Sequence, residues 1–183
     1  MDATQRLVDE LRTHALVLGE VVLTSGLTAQ YYVDAKRAIL RPAGFAALGE
    51  IVAAKAAEWG ATAAGGLTMG ADPVACAALA GGFDGKAFFV RKETKQHGLQ
   101  RRIEGPTLDA DERCLIVEDV VTTGGSTIQA IEAVREAGHE IVGVVAVLDR
   151  LAGGAERIEV EAGAPFYPCA TIDQVYPDRP DRS

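Results

Sequence analysis

Apolar residues at Leu7, Val8, Leu11, Ala15 and Leu18 keep the spacing of one helical face, which predicts a helix that opens at Thr4 and is closed by Gly19. Two short strands are expected next, at 21–23 and 31–33, around a turn containing Ser25-Gly26. Arg41-Pro42 opens an Ala-rich helix that runs to about Trp59, since proline at the first helical position loses no hydrogen bond there. From Ala61 the alternation becomes regular. A strand to about Ala64 is followed by a helix opened by Asp72-Pro73, a strand at 87–90 and an apolar strand at 115–117. A helix from Ser126 then stops at Gly138, and a β-branched strand at 141–148 ends at Asp149-Arg150. Such alternation predicts an α/β fold with a mostly parallel central sheet flanked by helices, and places ligands at the carboxyl ends of the strands. The Pro- and charge-rich stretch after Tyr176 is expected to fray.

With 183 residues, 48% hydrophobic and 24% charged, the chain fits a single domain over 1–183: helix and hairpin to about 40, a core over about 41–176, and a tail at 177–183. Every apolar run is far shorter than the ~20 residues of a membrane span. The first residues are acidic rather than basic and then apolar, so a cytoplasmic protein with no membrane partner is expected. Cys76, Cys114 and Cys169 are odd in number, lack C-x-x-C spacing and sit among apolar neighbours, which reads as three reduced core residues rather than zinc ligands. A net charge of -8 opposes nucleic acid as a partner. The exception is local: Arg91, Lys92, Lys95, Arg101 and Arg102, with His97 among them and only Glu93 opposing, suggest a specific anion.

The densest chemistry lies at 114–127. An apolar strand stops at two acids, Glu118 and Asp119, and carboxylates at a strand's carboxyl end suit ribose hydroxyls or a hydrated metal. The loop Thr122, Thr123, Gly124, Gly125, Ser126 and Thr127 then leads into a helix, so free N–H groups, hydroxyls and a helix N-terminus converge where a phosphate fits. Taken alone, a Gly-rich strand-to-helix turn is as often a plain connection. Neither G-x-x-x-x-G-K-[ST] nor G-x-G-x-x-G after a strand occurs, which disfavours ATP hydrolysis and dinucleotide binding. The turn at 65–73, with Thr68, Met69 and Gly70, is either a simple turn or a second anion site beside the first. The charged loop around 91–102 is long enough for a functional lid, although most such loops are only solvated.

The strand, acid pair and Thr/Gly/Ser loop resemble the 5-phosphoribosyl 1-pyrophosphate (PRPP) signature of the type I phosphoribosyltransferases. Arg91-Lys92-Glu93-Thr94-Lys95-Gln96-His97-Gly98 is similar to the R-K-x-x-K-x-H-G loop of the orotate phosphoribosyltransferases. With Gly70-Ala71-Asp72-Pro73 and Asp149-Arg150, the likeness to that family, its short bacterial forms in particular, extends over about 21–150. It implies the type I fold, with a small N-terminal hood and a catalytic loop. It further implies transfer of the phosphoribosyl group of PRPP to orotate in pyrimidine biosynthesis. Mg²⁺ is expected on the PRPP, with no direct protein ligand and at most water-mediated links to Glu118 and Asp119.

The implied roles follow residue by residue. Glu118 and Asp119 orient the ribose; Val120, Val121, Thr122, Thr123, Gly124, Gly125 and Ser126 surround the 5′-phosphate; Thr68, Met69 and Gly70 face the pyrophosphate. Lys92, Lys95 and His97 neutralise the departing pyrophosphate, with Arg91 supporting their loop and Asp119 counted with them as catalytic. Thr122, Arg150 and Tyr32 take orotate, Arg150 through the base's carboxylate. Two plainer readings stand beside these: an Arg150 salt bridge to Asp149 or a surface acid, and Tyr31 and Tyr32 as core residues. The resemblance also implies a homodimer in which each loop completes the neighbouring site. Many members are basic where this chain has Thr24, Leu27 and Gly70; Lys36 and Arg37, just beyond the hairpin, are candidates to compensate. The competing functions are transfer to another base and a PRPP-binding regulator.

Overall fold

A computed structural model describes residues 2–22, 28–92 and 102–182. Helix α1 (Ala3–His14) is capped by the Asp2 carboxylate, which accepts the Gln5 N–H at 2.8 Å. It ends earlier than the apolar spacing predicts. Leu16–Val22 form strand β1, paired antiparallel with β2 (Thr28–Val33). Val17, Val21 and Val22 make this a β-branched stretch with a partner strand, and that preference outweighs the helical period. Leu18, assigned by its spacing to a buried helix face, is 65% exposed. Gly19 ends no helix; its φ of +117° falls at the irregularity of the ladder between Leu18 and Val21. The turn expected at Ser25-Gly26, with Thr24 and Leu27, lies outside the described residues.

The short helix α2 (Lys36–Ile39), not anticipated from the sequence, leads to α3 (Pro42–Trp59), which starts and stops where Arg41-Pro42 and Trp59 place it. The chain continues through β3 (Ala63–Leu67), α4 (Asp72–Ala80), β4 (Lys86–Val90) and β5 (Ile103–Glu104). It then forms β6 (Arg113–Val121), α5 (Gly125–Glu136), β7 (Glu140–Asp149), α6 (Gly154–Ala162), β8 (Phe166–Thr171) and α7 (Ile172–Val175). The larger sheet runs β5-β4-β3-β6-β7-β8, parallel throughout except for β4 with β5. From β3 the order grows outward to β4 on one side and through β6 to β8 on the other. The carboxyl ends of β3 and β6 therefore flank the switch point at which such sheets bind ligands. β6 does not stop at its acids. Val120 and Val121 keep pairing with Leu148 and Asp149, which carries the strand past Glu118 and Asp119. Gly65 and Gly66 likewise belong to β3, so the turn behind it narrows to 68–71.

Alternate residues of β6 enter opposite cores. Leu115 and Val117 pack with Leu7, Leu11, Leu48 and Val52 of α1 and α3, while Ile116 packs with Ile131 and Ile158 of α5 and α6. These side chains are fully buried, and truncation of Leu115 or Ile116 to Ala costs about 2–5 kcal/mol. Burial pushes the thiols of Cys114 and Cys169 up to about 12. Cys76 corrects the expectation of three core cysteines: Val74, Ala75, Ala77 and Ala78 take the buried side of α4 and leave it exposed. Residues 177–182, within the stretch expected to fray, are tied to the fold. The Tyr176 N–H donates to the Ile172 carbonyl at 2.7 Å, and Arg179 pairs with Asp173 and Asp181. Among the described residues, no helix is long and apolar enough to cross a membrane.

Candidate active site

The two acids at the end of β6 have different surroundings. Glu118 is 3% exposed; burial first, then the charge of Asp119, push its carboxyl up to about 8. Its oxygens accept the Asp119 N–H at 3.1 Å and the Thr127 hydroxyl at 3.3 Å, so that hydroxyl turns inward instead of facing a ligand. Asp119 accepts the Val120 N–H at 2.8 Å through Oδ1 and pairs through Oδ2 with Lys36 Nζ, also at 2.8 Å. Lys36 lies 3.3 Å from Asp34 Oδ1 as well. Burial works against its charge, but the Asp119 and Asp34 carboxylates outweigh that effect and hold its pKa above the ordinary value.

The turn after β3 presses against this pair. A Cβ on Gly70 would lie 2.5 Å from Asp119 Oδ1 and 2.9 Å from Glu118 Oε1, so the acids and any side chain at position 70 compete for the same space. On the other flank, Gly124 precedes α5 as its N-cap residue, and its φ of +79° and closeness to Ile158 admit no ordinary side chain. No side chain caps that helix, which leaves its first-turn N–H groups to an anion. The Thr123 carbonyl is tied to Arg157 Nη1 at 3.3 Å, fixing the loop from behind.

A cavity of about 590 Å³ joins these parts. The acid pair and Val120 border it, as do Thr68, Met69 and Gly70 from the turn, Thr122 and Ser126 from the helix start, and Lys92, Tyr32 and Arg150. Val121, Thr123, Gly124 and Gly125 do not line it; Val121 is core, and its carbonyl accepts the Arg150 N–H at 2.8 Å. Arg91 stands back from the cavity. Its N–H donates to the Arg102 carbonyl at 2.8 Å and its guanidinium lies 3.4 Å from Glu104, which ties together the two ends of the basic loop. Lys95 and His97 lie outside the described residues. Lys36, Val33 and Leu67 also line the cavity, and of these only Lys36 entered the sequence reading, as a candidate to compensate for missing basic residues.

Strand alternation separates the two tyrosines of β2. Tyr31 is 3% exposed and belongs to the core, whereas Tyr32 is 40% exposed and faces the cavity. Arg150 makes no ion pair among the described residues; its neighbour Asp149 accepts the Leu151 N–H at 2.9 Å instead. The guanidinium lies over the Tyr31 ring, 4.9 Å from its centroid, and donates from Nη2 to the Tyr31 hydroxyl at 3.0 Å.

The described residues contain no group of three or more His, Cys, Asp or Glu that could hold a metal ion. With Asp119 bound to Lys36 and Glu118 raised to about 8, the acids suit a hydrated cation that arrives on ligand phosphates better than a bare one. A second cavity of about 690 Å³, bordered by Arg102, Ile103, Leu108, Ala133 and His139, lies toward the far end of α5 and includes none of the expected site residues.

Residues 62–168 match the phosphoribosyl transferase domain family. The orotate phosphoribosyltransferase of Streptomyces avermitilis is 48% identical over 169 residues, 90% of this chain and 92% of that protein. Among solved structures, the orotate phosphoribosyltransferase of Mycobacterium tuberculosis H37Rv in complex with Fe(III) dicitrate matches with a TM-score of 0.85 at 41% identity, over 95% of this chain and 99% of that one. The same enzyme in complex with PRPP matches with a TM-score of 0.81 at 37% identity, over 94% and 98%.

Proposed function

We infer the reaction from kinship and cavity together: the chain belongs to the orotate phosphoribosyltransferase family, and it transfers the 5-phosphoribosyl group of PRPP to orotate. The products are orotidine 5′-monophosphate and pyrophosphate, within pyrimidine biosynthesis. The observation that carries this reading is one cavity that unites an acid pair, an uncapped helix start and an arginine with no carboxylate partner among the described residues.

Breaking the bond to pyrophosphate leaves positive charge on the ribose ring, as in glycoside hydrolysis. The protein's task is then to place charge. Asp119, held by Lys36 and the Val120 N–H, accepts one ribose hydroxyl; Glu118, whose carboxyl is raised to about 8, both donates and accepts at neutral pH. The N–H groups at the start of α5, with Thr122 and Ser126, take the 5′-phosphate, and the turn at Thr68, Met69 and Gly70 takes the pyrophosphate. Lys92, with Lys95 and His97, neutralises that pyrophosphate as it departs, and Arg91 steadies their loop. Mg²⁺ on PRPP supplies further neutralisation of the leaving group. Glu118 and Asp119 are the residues to hold it, through water.

Arg150 offers its guanidinium fork to the orotate carboxylate, which neutral bases lack. Tyr32 lies along the pyrimidine, and the Thr122 hydroxyl serves its polar edge. The protein works in the cytoplasm as a homodimer of single-domain subunits, residues 1–40 forming a hood over the base and the 91–102 loop completing the partner's site. The test is the loss of orotate absorbance on adding PRPP and Mg²⁺, with adenine, hypoxanthine, uracil and xanthine alongside. Consumption of orotate alone is expected. Turnover of another base, or of none with PRPP still bound, would overturn the assignment.

A further inference from the structure

Arg150 is the near end of a chain of side chains that leaves the cavity. Its Nη2 donates to the Tyr31 hydroxyl at 3.0 Å, and that hydroxyl donates to both oxygens of Asp181, at 3.0 and 3.1 Å. A hydroxyl has one proton. Once it is committed to Asp181, the oxygen faces Arg150 only as an acceptor, which fixes the sense of the bond and the rotation of the guanidinium. Nε carries no partner, so the Tyr31 contact uses one donor and leaves others in the fork for a carboxylate.

Asp181 is itself held. Arg179 Nε lies 3.2 Å from its carboxylate, the same guanidinium pairs with Asp173 of α7, and Arg182 donates to the Pro177 carbonyl at 2.8 Å. The Tyr176 ring meets the Tyr31 ring edge-on at 5.3 Å. The stretch 176–182 thus closes as a hook on α7 and β2, and connects through Tyr31 to Arg150 at the cavity. A long cationic side chain at the lip of a cavity loses affinity for each rotamer it must give up on binding, and a fixed hydrogen-bonded partner removes part of that loss.

We propose that Asp181 and Tyr31 are positioning residues for base recognition: the 176–182 hook sets the Arg150 guanidinium for the carboxylate of orotate. The proposal rests on orotate being the base. It gives the terminal hook a part in specificity, acting on the base's carboxylate and not on PRPP.

Orotidine 5′-monophosphate and UMP differ only by that carboxylate, so their dissociation constants, with that of PRPP as control, isolate the effect. Tyr31→Phe keeps the ring against Tyr176 and Arg150 and removes only the hydroxyl, while Asp181→Ala removes the anchor. Both are expected to weaken orotidine 5′-monophosphate about tenfold, the size of one misplaced charge-assisted bond, and to leave UMP and PRPP within twofold. The KM for orotate should rise while kcat changes less, and Asp181→Glu should recover most of the loss. Equal weakening of both nucleotides, or no weakening of either, would overturn the proposal. A wild-type protein with no preference between them would instead overturn orotate as the base, and the proposal with it.

Discussion

Lys36 Nζ lies 2.8 Å from Asp119 Oδ2, an ion pair that joins the segment just after the hairpin to the acid pair 83 residues later. It bears on the missing basic residue of the pyrophosphate turn. At Gly70 the acids already occupy the room a side chain would need, and Lys36 brings a cation to the same cavity from a different element. Lys36→Met is therefore expected to raise the KM for PRPP about tenfold, the lower end for a charge-assisted hydrogen bond because the pair is partly solvated. An unchanged KM for PRPP in steady-state kinetics would show that the ion pair has no part in binding.

Gly70→Ala tests the crowding directly. The added methyl must move the Asp119 and Glu118 carboxylates, and Asp119 is held by Lys36 and the Val120 N–H. Turnover should fall by about 10²-fold, as misplacement of reacting groups by about 1 Å does. Wild-type kcat in this variant would contradict the placement.

These contacts mark the limit of what could be read from the chain. β6 and β7 were legible as apolar β-branched runs, β3 and β4 as short apolar stretches in a regular alternation with helices, and α3 and α4 by Pro42 and Pro73, because those signals are local. The 114–127 run announced its chemistry for the same reason. The stretch at Leu16–Val22 misled because its apolar residues satisfy a helical spacing while their preference and partner are those of a strand. The pairing of Lys36 with Asp119, the closeness of Gly70 to the acids and the hook that carries Asp181 to Tyr31 depend on the folded path of distant segments, for which no local pattern exists.

Glu118 gives stability a predictable pH dependence. Its carboxyl is raised from 4.5 to about 8, so the folded protein keeps a proton that the unfolded chain releases. The resulting stabilisation is complete below about 4.5 and is lost as pH rises to about 8. Glu118→Gln is uncharged throughout. Relative to wild type, its thermal midpoint without ligand should climb across that window and level off above it. A constant difference from pH 4 to 9 would place the Glu118 carboxyl at its ordinary value.

Lys95→Ala should lower turnover by about 10²–10³, with stability barely altered. If the loop serves the neighbouring subunit, mixing that variant with the equally inactive Arg150→Ala should restore activity. Each mixed dimer then carries one site with both an intact Arg150 and an intact loop, which gives about a quarter of wild-type turnover in an equal mixture. Failure of exchanged subunits to recover activity would confine each loop to its own site.

The most direct measurement is a crystal structure with PRPP, Mg²⁺ and a nonreactive orotate analogue that retains the carboxylate. The account places the 5′-phosphate on the N–H groups at the start of α5, the ribose hydroxyls on Glu118 and Asp119, and the analogue's carboxylate on Arg150. PRPP in the other cavity, beside Arg102 and His139, or a base turned with its carboxylate away from Arg150, would contradict it.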